Sequence, residues 1–252
     1  MSVERPMGIL QKASDVIELL ADRGPLTPGD IAESIGMPRP SVYRLVEALN
    51  QSRLTVTTPD SRIKISERWL RLADASRSAM HEWEPARATL DLLCRETGQT
   101  TFLTVPRGDH AVCVDWAQGR GINVLILKPG RSLPLYAGAA GRATLAFRKH
   151  DVAPYLQRAP FPALTRRTLT TAPQLRRDIK LTRDRGYSVS DEDVTDGIAA
   201  LGVPLSDRGG ELRGALSLGG LAEDIRGNQA DFAARLTAAG VSLTEALEQE
   251  RR

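Results

Sequence analysis

The chain has 252 residues, 41% of them hydrophobic, and 34 Lys and Arg against 31 Asp and Glu leave a net charge of +3. That length suits one or two domains with a real core, and the absence of any apolar run of about 18 residues excludes a hydropathic membrane span. Only Cys94 and Cys113 occur, at no metal-ligand spacing, which excludes a disulfide framework and leaves both thiols as expected core residues.

The N-terminus lacks the basic stretch and apolar core of a secretory signal, so a cytoplasmic protein is expected. Residues 8–22 place Ile9, Ala13, Val16, Ile17 and Leu20 at helical spacing, and Gly24-Pro25 should end that helix. A second helix is signalled by Thr27 as N-cap, Pro28 at the first helical position and Asp30 at the capping-box place. It carries Ile31, Ala32 and Ile35 and stops at Gly36, a residue suited to a tight turn with positive φ. A third helix starts near Arg39-Pro40-Ser41, with Val42, Leu45, Val46 and Leu49 facing a core. Its other face presents Arg39, Ser41, Tyr43, Arg44 and Glu47. Two short helices joined by a Gly turn, the second with a partly basic exposed face, make a helix-turn-helix whose second helix would enter a major groove.

Residues 54–58 and 62–65 read as two strands around the turn Pro59-Asp60-Ser61, a wing with Arg53, Arg62 and Lys64 near its tip. Candidate DNA-contacting residues are Thr27, Arg39, Pro40, Ser41, Tyr43, Arg44, Arg62 and Lys64, suited to phosphate and base-edge contact. The domain is not basic as a whole, since residues 1–66 hold eight basic and eight acidic side chains. Charge placement rather than net charge would carry DNA affinity.

Residues 66–81 read as a helix with Ser66 at its start, and 85–97 as another ending at Gly98. Strands are expected over 101–105, 111–116, 122–127, 198–205 and 212–218, and helices over 140–148, 172–185 and 228–248. Hairpins with flanking helices give an α+β fold with a mostly antiparallel sheet. The expected domains are a winged helix-turn-helix (1–66), a linker helix (67–83) and a second domain (84–252). Ten Lys or Arg against two Asp between 142 and 183 read as solvated helix faces. The acidic run Asp191-Glu192-Asp193 with Asp196 reads as a solvated loop.

The order of elements resembles the IclR family of bacterial transcriptional regulators. The segments carrying the likeness are 26–32 through 39–45, Leu133-Pro134-Leu135-Tyr136-Ala137-Gly138-Ala139-Ala140-Gly141-Arg142-Ala143, Arg185-Gly186-Tyr187-Ser188-Val189, and Gly197 to Leu205 with Gly214-Ala215-Leu216-Ser217-Leu218. The resemblance implies a GAF-like effector-binding domain, a homodimer or homotetramer, double-stranded operator DNA as partner and control of a catabolic operon by a small organic acid. Family pocket positions fall on Gly138, Ala139, Ser190, Ala200, Ser217 and Gly219. Only the Gly-Ala pair and Ser217 keep the family chemistry. The loss of polar groups at 190, 200 and 219 points to a larger, more apolar effector such as an aromatic acid.

Catalytic readings are weaker. Ala215-Leu216-Ser217-Leu218-Gly219 departs from a nucleophile elbow at its first place, and none of His81, His110 and His150 follows the serine. Gly138-Ala139-Ala140-Gly141 lacks the Lys-Ser/Thr of a phosphate loop. The expectation is a non-enzyme without cofactor or metal, working with DNA, an effector and a second copy of itself, and with no membrane. The competing expectation is a small-molecule sensor whose N-terminal domain binds protein.

Overall fold

A computed structural model describes residues 8–120 and 127–249, in two compact units, Met1–His81 and Glu82–Arg252. The first unit packs α1 (Ile9–Arg23), α2 (Pro28–Ile35) and α3 (Arg39–Gln51) around Val16, Leu20, Ile31, Val42, Leu45, Val46 and Leu49. These are the stripes the sequence spacing predicts, because i, i+3, i+4 positions share a helix face. Thr27 closes α2 with a capping box: its hydroxyl accepts from Asp30 N at 3.2 Å while the Asp30 carboxylate accepts from Thr27 N at 3.1 Å. The Thr27 hydroxyl holds the Asp30 carboxyl below its ordinary value. Gly36 takes φ 62°, the left-handed turn expected between α2 and α3. Thr27→Ala should lower the unit's stability by about 1 kcal/mol. Urea unfolding would check this, and an unchanged midpoint would show the box to be dispensable.

The wing is β1 (Thr55–Thr57) paired antiparallel with β2 (Ile63–Ile65), Ile63 being buried under Leu26 through a two-way backbone bond. The following helix, α4, spans Arg68–Ser78 rather than starting at Ser66. Ser66 instead donates its hydroxyl to the Arg53 carbonyl at 2.5 Å, tying the hairpin base before the helix begins. Trp69 Nε1 donates to Leu54 O at 2.8 Å from the same side.

In the second unit a six-stranded antiparallel sheet has the order β5-β4-β3-β8-β7-β6. Its strands are β3 (Thr100–Arg107), β4 (His110–Ala117), β5 (Ser132–Pro134), β6 (Ser188–Asp191), β7 (Ile198–Ser206) and β8 (Leu212–Leu221). Helices α5 (Ala86–Thr97), α6 (Ala139–Phe147), α7 (Ala153–Leu156), α8 (Ala172–Arg185), α9 (Ala222–Gly227) and α10 (Gln229–Gln249) complete it. The α+β expectation therefore holds. The sequence reading omitted β5, β6, α7 and α9, and its strand over 122–127 lies outside the described residues except for Leu127, which is buried and not in a strand. Among the described residues no helix is long and apolar enough to cross a membrane.

Helix α6 is seated directly on the sheet. Gly202 on β7 lies under the Ala139 peptide, where a Cβ would stand 2.8 Å from both the carbonyl carbon and the oxygen. Gly138 just before the helix has φ 73°, and a Cβ there would meet Leu133 Cδ1 at 2.9 Å. Both positions therefore need glycine, one for close approach and the other for backbone conformation as well.

Candidate functional site

The exposed face of α3 carries Arg39, Pro40, Tyr43 and Arg44, with Ser41 half-buried beside them. Among the described residues neither Arg39 nor Arg44 makes an ion pair or side-chain hydrogen bond, so both guanidinium groups are available. Tyr43 is 58% exposed, a large ring left in solvent on the face opposite the core stripe. The wing cations are engaged: Arg62 Nε lies 3.2 Å from Asp60 and its Nη1 donates to the Pro25 carbonyl, while Lys64 Nζ lies 2.9 Å from Glu67. Thr27 spends its hydroxyl on the α2 cap. The eight sequence-predicted positions thus divide into an open α3 face and a wing and cap whose polar groups already have partners.

The second unit contains a cavity over the sheet. The centre of a water-sized sphere can move through about 60 Å³ of it, several times the roughly 10–15 Å³ that one water needs. Its floor is Phe102 on β3, Ser217 and Gly219 on β8, Ala200 on β7 and Ser190 on β6. The strand register makes this grouping necessary, since Ser190 pairs with Ala200, Ala200 with Gly219, and Ser217 with Phe102. One wall is the start of α6 at Gly138, Ala139 and Ala140. The roof is Leu127, Leu133, Val194 and Thr195 in the β6–β7 connection, and Ile198 at the start of β7. All six effector positions read from the sequence line this single cavity. Phe102 was not among them, because nothing local in the sequence says that β3 pairs with β8, and neither were the roof residues.

Apart from the Thr195 side chain in the roof, the polar groups on the cavity lie at two poles. At one, the Ala139 and Ala140 amides precede the first intrahelical bond of α6, Arg142 N to Gly138 O, and have no acceptor among the described residues. Ser217 is 3% exposed and its hydroxyl has no hydrogen-bond partner among the described residues. At the other pole Ser190 donates its hydroxyl to the Asp193 carboxylate. Among the described residues the lining contains no Lys, Arg or His. Gly219 leaves open the space between Ala200 Cβ and Phe102 Cε2, 3.4 and 3.7 Å from where its own Cβ would be.

Behind the second pole is a buried ionic cluster. Arg142 on α6 is 5% exposed, with Nη1 3.2 Å from Asp178 on α8 and Nε 3.6 Å from Asp193. Its Nη2 donates to the Val189 carbonyl, and Nε has no hydrogen-bond partner among the described residues. Asp193 is 2% exposed and also accepts from Gly138 N at 3.2 Å. Burial pushes the Asp178 carboxyl above its ordinary value, with Arg142 pulling it back. Two expectations are corrected here. Arg142 is not on a solvated helix face. In the acidic run Asp196 is exposed as expected, but Asp193 is buried and Asp191 and Glu192 pair with Arg167 and Arg226. Cys113 lies in the core as expected, and burial pushes its thiol up to about 12, while Cys94 is only partly covered.

The sequence matches the family model of the IclR helix-turn-helix domain over residues 9–59 and that of the bacterial transcriptional regulator IclR C-terminal domain over residues 76–244. The chain belongs to the IclR family. Among similar proteins, the transcriptional regulator Rv1719 of Mycobacterium tuberculosis is 30% identical over 238 residues, 91% of this chain and 88% of that one. The regulator XynR of Escherichia coli is 25% identical over 98% of this chain and 96% of its own. In fold, the chain is similar to an IclR homologue of Microbacterium hydrocarbonoxydans solved with 4-hydroxybenzoate, at a TM-score of 0.78 and 19% identity, covering 96% of this chain and 100% of that one. The molecule is thus a DNA-binding transcriptional regulator of the IclR family with an effector-binding domain, its helix-turn-helix in the first unit and the cavity in the second.

Proposed function

We propose that this regulator controls a catabolic operon in response to a small organic acid with a ring-sized apolar body. The observation that carries the effector class is the cavity itself: a mostly apolar chamber with free backbone donors and the unpartnered Ser217 hydroxyl at one pole. A carboxylate is satisfied by helix N-terminal amides without a cation, and the ring fits the space beside Phe102 that Gly219 and Ala200 leave open. The Microbacterium homologue, solved with an aromatic acid, supports the same class.

Operator DNA is read by the open α3 face, with Arg39 and Arg44 on phosphate or guanine and Ser41 and Tyr43 on backbone or base edges. Two copies of the chain, as a homodimer or homotetramer, address paired half-sites. The effector acts by binding the DNA-competent and DNA-incompetent states with different affinity, since equal affinity shifts nothing.

Arg44→Ala should weaken binding to the chain's own promoter region by about tenfold or more, with the circular dichroism spectrum unchanged. Gel-shift titration at fixed salt checks this, and unchanged affinity would remove Arg44 from the interface. Parent affinity should fall steeply with salt as phosphate counterions are released. A chain that stays off its promoter DNA at every salt concentration would instead favour a protein-binding N-terminal domain.

A further inference from the structure

We propose that Asp193, acting through Ser190, makes one pole of the cavity a hydrogen-bond acceptor, so that the effector carries a hydroxyl there in addition to its acid group. The inference rests on the aromatic-acid reading above and specifies the far end of the ligand. Ser190 is 4% exposed, lines the cavity, and commits its only proton to Asp193 Oδ1. Asp193 has little freedom to return that proton. Its other oxygen accepts from Gly138 N, and the Arg142 guanidinium stands 3.6 Å away, so both carboxylate oxygens already face donors. What Ser190 has left to offer the cavity is lone pairs, and a hydroxyl oxygen with both lone pairs unused is an acceptor awaiting a donor. Among the described residues no donor reaches it.

The Ser217 and Ser190 ends of the cavity are far enough apart for a ring between them, with the start of α6, tied to Asp193 through Gly138 N, along one side. Ser190 and Ser217 stand on β6 and β8 with β7 between, two residues out of line. Strand spacing and rise put their Cα atoms on the order of 12 Å apart, which leaves room for a benzene ring with a polar group at either end once both side chains reach inward. A methoxy group at the Ser190 end presents only a lone pair to a lone pair. A hydroxyl donates to Ser190, which in turn donates to Asp193, in a chain polarised by the buried carboxylate. Asp193 is thus a positioning residue: it fixes which way the Ser190 hydroxyl points.

The test is calorimetric titration of the full chain with benzoate, 3- and 4-hydroxybenzoate and the two matching methoxybenzoates. The parent should bind its preferred hydroxybenzoate about tenfold or more tighter than the methoxy counterpart, the discrimination expected when a buried acceptor is left without a donor. Ser190→Ala should bring that ratio to within about threefold while keeping binding of benzoate. Asp193→Asn should move the preference toward the methoxy compounds, because an amide N–H can donate to Ser190 and turn the hydroxyl proton toward the cavity. A merely structural role for Asp193 would weaken all five ligands alike. Should Asp193→Asn fail to fold, the Ser190→Ala ratio decides alone. Equal binding of hydroxy and methoxy compounds by the parent overturns the inference and leaves the aromatic-acid reading standing. Failure of all five aromatic probes to bind overturns both.

Discussion

Arg142→Leu is expected to destabilise the second unit by about 3–5 kcal/mol, the cost of leaving buried carboxylates without their counter-charge. The guanidinium is 5% exposed and faces Asp178 and Asp193, which are 14% and 2% exposed at the side chain. Leucine fills part of the volume and neutralises neither acid. The pH dependence has a definite sign. Burial holds the Asp178 carboxyl above its ordinary value of 3.8, and Arg142 opposes that rise. The folded chain therefore holds this proton more tightly than the unfolded one, and the stability it contributes is lost as pH rises from about 4 through the folded value. Removing Arg142 raises the folded value further. The deficit of the variant should be largest at neutral pH and shrink as pH falls toward 4. Urea unfolding at pH 5 and pH 8, followed through Trp83 and Trp116 fluorescence, measures it. A deficit equal at both pH values would show that charge burial is not its cause.

That cluster also marks where sequence reasoning stopped. Arg and Asp are surface residues by default, so Arg142 and Asp193 read as solvated, and only the folded chain shows α6, α8 and the β6–β7 connection closing over them. The first unit was legible almost throughout, because its signals are local: the Thr27–Asp30 box, Gly36 and the apolar stripes each lie within a few residues of what they specify. In the second unit long strands and helices announced themselves by period and by glycine stops, as α5 does at Gly98. Short elements did not. β6 has four residues and α9 six, too few for any period to be read. The cavity was legible at the six positions that a family resemblance could supply. Phe102 was not, because it reaches the cavity through its pairing with Ser217, more than a hundred residues away in the chain.

The second large effect is expected at Gly202, where the sheet and the cavity wall meet. The Ala139 carbonyl carbon and oxygen lie 2.8 Å from where a Cβ would be built, and Ser188 Oγ lies 2.9 Å from it. Ser188 in turn donates to the Ala139 carbonyl at 2.6 Å, so this contact fastens the first turn of α6 to the sheet. Two of the three obstructing atoms are backbone and have no rotamer to change. Gly202→Val must lift the start of α6, at the top of the roughly 1–3 kcal/mol overpacking range or beyond it. For a unit of this size that is a drop of about 6 °C or more in the unfolding temperature. The Ala139 and Ala140 amides would move with the helix, so stabilisation by any acid ligand should vanish as well. Gly219→Ala is the control, since its Cβ would meet Ala200, Ala199 and Phe102 only at 3.4–3.7 Å, ordinary contact distances. It should leave the unfolding temperature of the free chain nearly unchanged while weakening ring-bearing ligands, because the added methyl occupies space beside Phe102. Thermal unfolding of both variants with and without benzoate separates the two effects. A Gly202→Val chain that matched the parent on both counts would mean that α6 is not seated on β7 as described.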